Sequence, residues 1–270
     1  MLNIVSDKNV LNNKIITKEE TEKLLNQTKI YEVIRVIDRK AIFLKEHFDR
    51  MNESIHLSGI KGSLCYEDFK SSAELLIKEN PFKNLNIRVS YFYDNKPFAL
   101  FYFIESYYPA QEEFNEGVDT VTVKMERANP NVKSYQKEFK DKVTKIIEEQ
   151  NAFEAILVNQ DDTVCEGSKS NIFFVKGDKL VTSPDYAVLL GVTRSRVISV
   201  CEENLIEVEK RIIKFSELES FDGAFITGTS NDVLPIRSID NIKFNSSGND
   251  LVKKVSGLYM GEVRKEIEKQ

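Results

Sequence analysis

Cys165-Glu166-Gly167-Ser168-Lys169-Ser170-Asn171-Ile172-Phe173-Phe174-Val175 sets one carboxylate in a short Gly/Ser/Asn turn and follows it at once with an apolar strand. A carboxylate held beside a buried strand needs a cation or hydrogen-bond donors, because burying it unpaired is costly. Taken alone, the commoner reading of Glu166 is a turn carboxylate that faces water or caps nearby N–H groups. What it meets depends on three other segments: one upstream with a lysine, and two downstream rich in Gly and Thr.

The length of 270 residues allows one large or two moderate domains with ample core. Hydrophobic residues at 41% and charged residues at 30% fit an ordinary globular protein. A formal net charge of −5 argues against a nucleic-acid partner, which would need a basic face. No run of about 18 apolar residues marks a membrane span. Residues 1–10 lack the apolar core of a signal peptide, so a cytoplasmic protein is expected. Cys65, Cys165 and Cys201 are odd in number and lack a CxxC spacing, which argues against a disulfide framework. His47 and His56 lack metal-ligand spacing and read as surface residues, so no metal site is expected.

Patterning predicts helices over 17–26, 46–57, 66–78, 134–150, 193–205 and 251–267. Ser134 serves as N-cap of the fourth. Strands are expected at 30–37, 41–44, 85–93, 98–107, 118–125, 153–158, 172–176, 179–182, 206–212, 223–227 and 233–236. Strands outnumber helices and several form hairpins, so the expected class is α+β with mixed sheets. A polar break near 112–118 divides the chain into residues 1–117 and 118–270.

Four further segments could carry chemistry. Lys133, in Asn129-Pro130-Asn131-Val132-Lys133-Ser134-Tyr135, lies at a strand-to-helix junction. A lysine nucleophile there needs an apolar pocket or a nearby cation; the bland alternative is a solvated helix-start lysine. Leu190-Gly191-Val192-Thr193-Arg194 opens a helix whose N–H groups suit a phosphate, or which is simply capped by Thr193. Ile226-Thr227-Gly228-Thr229-Ser230-Asn231 ends a strand in a turn that could present N–H groups to an anion, or be a polar loop. Arg50, in Glu46-His47-Phe48-Asp49-Arg50, could clamp a phosphate or pair with Glu46 at i−4.

Together these segments resemble the fold-type IV pyridoxal-phosphate enzymes: branched-chain and D-amino-acid aminotransferases and aminodeoxychorismate lyase. The resemblance runs from about residue 30 to 240. Its most specific parts are Glu166-Gly167-Ser168 with Ser170-Asn171-Ile172-Phe173, Gly191-Val192-Thr193-Arg194, and Thr227-Gly228-Thr229-Ser230 through Pro235-Ile236 to Ile239-Asp240. Ile30-Tyr31-Glu32-Val33 with the Arg50 segment looks like the family's N-terminal strand and phosphate arginine.

The resemblance implies two α/β domains with pyridoxal 5'-phosphate between them, usually in a homodimer, and Lys133 in the second domain. It makes Lys133 the Schiff-base lysine and general base, and Glu166 the partner of the pyridine nitrogen. Arg50 and the N–H groups of Val192, Thr193 and Thr229 become the phosphate cup, and Tyr31 a residue on the substrate side. The implied activity is transfer of an amino group between an amino acid and a 2-keto acid. The alternatives are an aminodeoxychorismate lyase releasing 4-aminobenzoate and pyruvate, or a non-catalytic member of the fold. The chain departs from the pattern in two places: Asn26-Gln27-Thr28-Lys29 replaces a Gly-Asp-Gly lead-in, and Arg88-Val89-Ser90 has no Arg-x-His pair. The second departure argues against D-amino-acid specificity.

Overall fold

The computed structural model describes residues 3–127 and 129–269. These form two compact units. The smaller takes the residues up to Tyr107, Val132–Tyr135 and those from Val263 on; the larger takes Tyr108–Asn131 and Gln136–Glu262.

The smaller unit contains β1 (Lys8–Leu11), β2 (Lys14–Thr17), α1 (Lys18–Leu24), β3 (Ile30–Ile37) and β4 (Lys40–Ala41). α2 (Leu44–Leu57), α3 (Tyr66–Glu79), β5 (Leu85–Asp94) and β6 (Lys96–Ile104) follow. The sheet order is β2-β1-β6-β5-β3-β4, antiparallel throughout. β3 alternates between buried and half-buried residues, so its period of two aims Ile30, Glu32, Ile34 and Val36 at one face. That face meets Phe48, Met51 and Ile55 of α2 and Phe69 and Leu76 of α3. A carboxylate is thereby carried into the apolar layer by its position in the strand.

Two local expectations change here. The strand expected at 41–44 shrinks to β4, because Leu44 already opens α2. The hairpin of β1 and β2 is an addition: Asn12 and Asn13, at φ of 46° and 61°, form its tip, and Asn tolerates that left-handed backbone.

The larger unit contains α4 (Gln111–Glu116), β7 (Val118–Lys124), α5 (Lys137–Glu149), β8 (Glu154–Val158), β9 (Thr163–Gly167) and β10 (Asn171–Lys176). It continues with β11 (Lys179–Thr182), α6 (Val192–Glu203), β12 (Val208–Lys210), β13 (Ile213–Lys214), β14 (Gly223–Gly228), β15 (Asp232–Ile239) and β16 (Ile242–Lys243). A last helix, α7 (Asp250–Lys269), closes the described chain. The sheet order is β12-β11-β10-β14-β15-β7-β8-β9-β13, with β16 on β15. β15, β7 and β8 run parallel to one another, as do β11 and β12. The fold is therefore α+β, with one antiparallel sheet and one mixed sheet rather than two mixed ones.

β8 and β9 are buried at every position. Such strands lack the alternation that marks a half-exposed strand, and β9, Thr-Val-Cys-Glu-Gly, is also polar. Pattern therefore does not reveal β9, and Glu166 lies inside this strand rather than in a turn. The pairing of β8 with β9 is irregular between Ile156 and Val158, opposite the end of β9 that holds Glu166. α5 starts at Lys137, not after a Ser134 cap, because residues 133–135 pair with the start of β3 instead.

Candidate functional site

In the smaller unit the chemistry gathers around Lys133. The Tyr31 N–H donates to the Lys133 carbonyl at 3.1 Å, and the Tyr135 N–H donates to the Lys29 carbonyl at 3.1 Å. Ile30 and Ser134 form an antiparallel bridge. The Lys133 N–H donates to Ser54 Oγ of α2 at 3.2 Å. The main chain of Lys133 is thus fixed by both a strand and a helix. Its Nζ lies 5.0 Å from the centre of the Tyr31 ring, a cation–π distance. Tyr31 and Tyr135 meet edge to face at 6.3 Å.

Beneath this edge lies a buried charge network. Arg50 Nε donates to Glu32 Oε1 at 2.8 Å and Nη2 donates to Oε2 at 2.6 Å. His47 Nδ1 is 2.8 Å from the same Oε2. Burial acts to raise the Glu32 carboxyl, but Arg50 and then His47 bring it down to about 2. Burial holds His47 below its usual range, against the pull of Glu32, with Arg50 and Lys133 adding to the lowering. This network bears on two expectations. His47 is buried rather than a surface residue, and the arginine fork, weighed from sequence against Glu46, donates to Glu32. Glu32 is the group that sequence reading misses; an inward position in an alternating strand is the available signal.

Arg88 of β5 is a second omission. It is 3% exposed, and its guanidinium carbon lies 4.0 Å from the Tyr31 ring centre and 5.3 Å from that of Tyr135. Its Nε and Nη2 are buried without a hydrogen-bond acceptor among the described residues. An arginine in the middle of Asn-Ile-Arg-Val-Ser, where a core residue belongs, marks it.

In the larger unit the centre is Glu166, 3% exposed. Its Oε2 accepts from Asn171 Nδ2 at 3.1 Å and from the Leu189 N–H at 3.0 Å. Its Oε1 lies 3.1 Å from Arg127 Nε, an ionic contact that lacks the alignment of a hydrogen bond. Asn171 Nδ2 also donates to the Leu189 carbonyl at 2.8 Å. A Cβ on Gly191 would stand 2.1 Å from Asn171 Oδ1, so only glycine allows this approach. Asn171 therefore ties Glu166 to the start of α6.

Residues 167–170 serve a second carboxylate. Glu154 Oε1 accepts from Ser168 Oγ at 2.6 Å and from the Ala155 N–H at 2.9 Å. Its Oε2 accepts from Ser170 Oγ at 3.0 Å and from the Lys169 N–H at 3.2 Å. A Cβ on Gly167 would meet Ser170 Oγ at 2.0 Å. The small hydroxyl residues of the motif are thus explained by Glu154 on the neighbouring strand, and the Lys169 side chain points to solvent.

α6 begins at Val192 with Gly191 as N-cap and no side-chain cap. Val192 and Thr193 are buried. The first-turn N–H groups of a helix need acceptors, and an anion is a suitable one. Thr193 does not cap the helix, which departs from the bland reading of its segment. Thr229 is half-buried in the turn between β14 and β15, and Thr227 Oγ1 is buried without a hydrogen-bond partner among the described residues.

Comparison with known proteins adds independent findings. Residues 29–239 match the model of the family described as amino-transferase class IV. The chain is 30% identical over 254 residues to the D-alanine aminotransferase of Bacillus licheniformis, covering 89% of each. It superposes on a putative branched-chain amino acid aminotransferase of Thermotoga maritima with a TM-score of 0.81 and 25% identity, over 95% of this chain and 96% of that one. The branched-chain aminotransferase of the archaeon Thermoproteus uzoniensis, solved with norvaline, shares the fold at a TM-score of 0.83 and 23% identity, over 97% of each chain.

Proposed function

The chain belongs to the class IV amino-transferase family, and from that premise we propose that Lys133 is the working amine of a transaminase that passes an amino group between an amino acid and a 2-keto acid. The observation that carries this reading is the fixing of Lys133 by Ser54 of α2 and Tyr31 of β3, with Nζ against the Tyr31 ring.

The residues present fit pyridoxal 5'-phosphate, the cofactor of the family. The uncapped start of α6 and the orphaned Thr227 hydroxyl suit a phosphate, and buried Glu166 suits a basic ring nitrogen. When bound, the cofactor supplies a reactive aldehyde carbon and a ring that accepts electrons.

In this reading Lys133 Nζ would hold the group, and as a free amine it would take the substrate α-proton and return it. Glu166, held by Asn171 and the Leu189 N–H, would pair with the ring nitrogen. The N–H groups of Val192, Thr193 and Thr229 bind the phosphate, with Arg50 as a further contact whose orientation Glu32 sets. Arg88, stacked on Tyr31 with two unsatisfied N–H positions, suits a substrate carboxylate, and Tyr31 walls the same side. The enzyme works in the cytoplasm as a homodimer. Among the described residues no helix is long and apolar enough to cross a membrane.

The test is keto-acid formation from a panel of L- and D-amino acids with 2-oxoglutarate. No product across the panel would sink the transaminase reading. Release of pyruvate and 4-aminobenzoate from aminodeoxychorismate would replace it with the lyase.

A further inference from the structure

We propose that Arg127 is the positioning residue of Glu166: it holds the carboxylate in place and sets how strongly that carboxylate retains a proton on the ring of a bound cofactor. This rests on the role proposed for Glu166. The geometry behind it is a chain of four contacts within the larger unit. Arg127 Nε stands 3.1 Å from Glu166 Oε1. Arg127 Nη2 donates to the Ser168 carbonyl at 2.9 Å. Ser168 in turn is held by Glu154 through its hydroxyl at 2.6 Å, and by the Ala155 carbonyl through its N–H at 2.8 Å.

The guanidinium therefore does not approach Glu166 as a loose surface partner. It is 16% exposed, while Glu166 is 3% exposed. Its carbon also lies 5.1 Å from the Phe139 ring centre on α5. Anchored at Ser168 and stacked at Phe139, it places a permanent positive charge beside one carboxylate oxygen. The opposite oxygen is fixed by Asn171 and Leu189. Glu166 is thus oriented from both sides.

The charge has a second consequence. A cation close to Glu166 weakens the pull of that carboxylate on any other proton nearby. Arg127 then sets the ring nitrogen to a lower proton affinity than Glu166 alone would give. Other ionisable groups near this corner include Glu126 and Asp161, which act on the neighbouring Cys165, and Glu154, which accepts from the Lys169 N–H. All three carboxylates, when ionised, act in the opposite sense to Arg127.

The experiment compares the parent protein with R127Q and R127K, each titrated with pyridoxal 5'-phosphate. Two quantities are read: the dissociation constant, and the pH midpoint of the visible absorption change of the bound form. In R127Q the midpoint moves up by about one unit and binding weakens, because charge and anchor are both lost. In R127K the charge survives without the fork, so binding weakens while the midpoint stays near the parent value. A midpoint and dissociation constant unchanged in R127Q would overturn the proposal. If R127Q does not fold, R127K with the parent dissociation constant overturns it instead. E166Q separates the two ideas. An altered midpoint in E166Q with none in R127Q sinks Arg127 alone; no change in E166Q sinks the role of Glu166, and this proposal with it.

Discussion

Glu32 in β3 and Glu154 in β8 are both buried carboxylates inside a sheet, one in each unit, yet their partners have opposite character. Glu32 meets a guanidinium fork and an imidazole. Glu154 meets two hydroxyls and two backbone N–H groups. The first arrangement is electrical. It balances charge deep in the smaller unit, and Lys133 contributes to the field on His47. The second is geometric: four neutral donors converge on one side chain and fix the backbone of residues 167–170. One unit holds its buried carboxylate through charge, the other through the shape of a turn.

The largest expected effect tests whether Lys133 belongs with the charged edge. Lys133→Ala should lower kcat/KM by about 10³-fold or more and remove the visible absorption of the bound cofactor. The control is Lys169→Ala, whose side chain faces solvent; it should keep both. Retained colour in the Lys133 variant would break the assignment.

Next comes the electrical anchor itself. Glu32→Ala removes the carboxylate that accepts from the Arg50 fork inside the core, which should cost about 3–5 kcal/mol in urea unfolding. The pH dependence follows from the sign of the shift. The Glu32 carboxyl sits at about 2 in the folded protein against 4.5 away from these partners. Between those values the unfolded chain binds a proton that the folded chain does not, so its contribution is present above pH 4.5 and fades as pH falls through about 2. The whole contribution is about 3 kcal/mol. His47, lowered by burial, adds acid sensitivity of the same sign. Glu32→Gln should flatten the acid limb of stability; a limb as steep as the parent's would show that charge is not what anchors this unit.

Glu154→Gln is the matching probe of the geometric anchor. An amide turns one acceptor oxygen into a donor that faces a hydroxyl or N–H already donating. The expected cost is about 1–3 kcal/mol. Accelerated hydrogen exchange should be confined to residues 167–170 and the end of β9. Exchange that spreads through β8 and β10 instead would mean that Glu154 supports the sheet and not the turn.

The same contrast governs what can be read from sequence. β3 is legible because it alternates, and the Gly/Ser/Asn motif because its single glycine and its small polar residues stand out beside an apolar strand. Glu32 and His47 are not, since charged and ring side chains are presumed exposed until a partner is seen, and Glu32 of β3 meets its partners His47 and Arg50 only across elements, on α2. β9 escapes because a fully buried polar strand has no period to detect. Lys133 is singled out by motif, but its pairing with β3 joins residues about a hundred positions apart, which local pattern does not carry. The expected helix start at Ser134 fails for the same reason.

The smallest effect concerns backbone strain, which the two units also treat differently. Phe43, just before α2, holds a φ of 54°, and Leu205, just after α6, holds a φ of 56°. The left-handed region is unfavourable for both residues by about 1–2 kcal/mol. Phe43 is 3% exposed, so its burial offsets the strain. Leu205 is 95% exposed and gains nothing from its side chain. Its position is the usual place for glycine: the Ile206 N–H returns to the Cys201 carbonyl at 2.8 Å and the Leu205 N–H to the Glu202 carbonyl at 3.2 Å, closing the end of α6. Leu205→Gly should therefore stabilise the protein by about 0.5–1 kcal/mol in urea unfolding, the relief of strain being partly offset by the entropy of an added glycine. Phe43→Gly should destabilise it by about 3 kcal/mol or more, because the ring leaves a void in the core. The two substitutions thus act with opposite sign on the same backbone conformation. If Leu205→Gly proved as destabilising as Phe43→Gly, the exposed leucine would be making a contact that the single chain does not show.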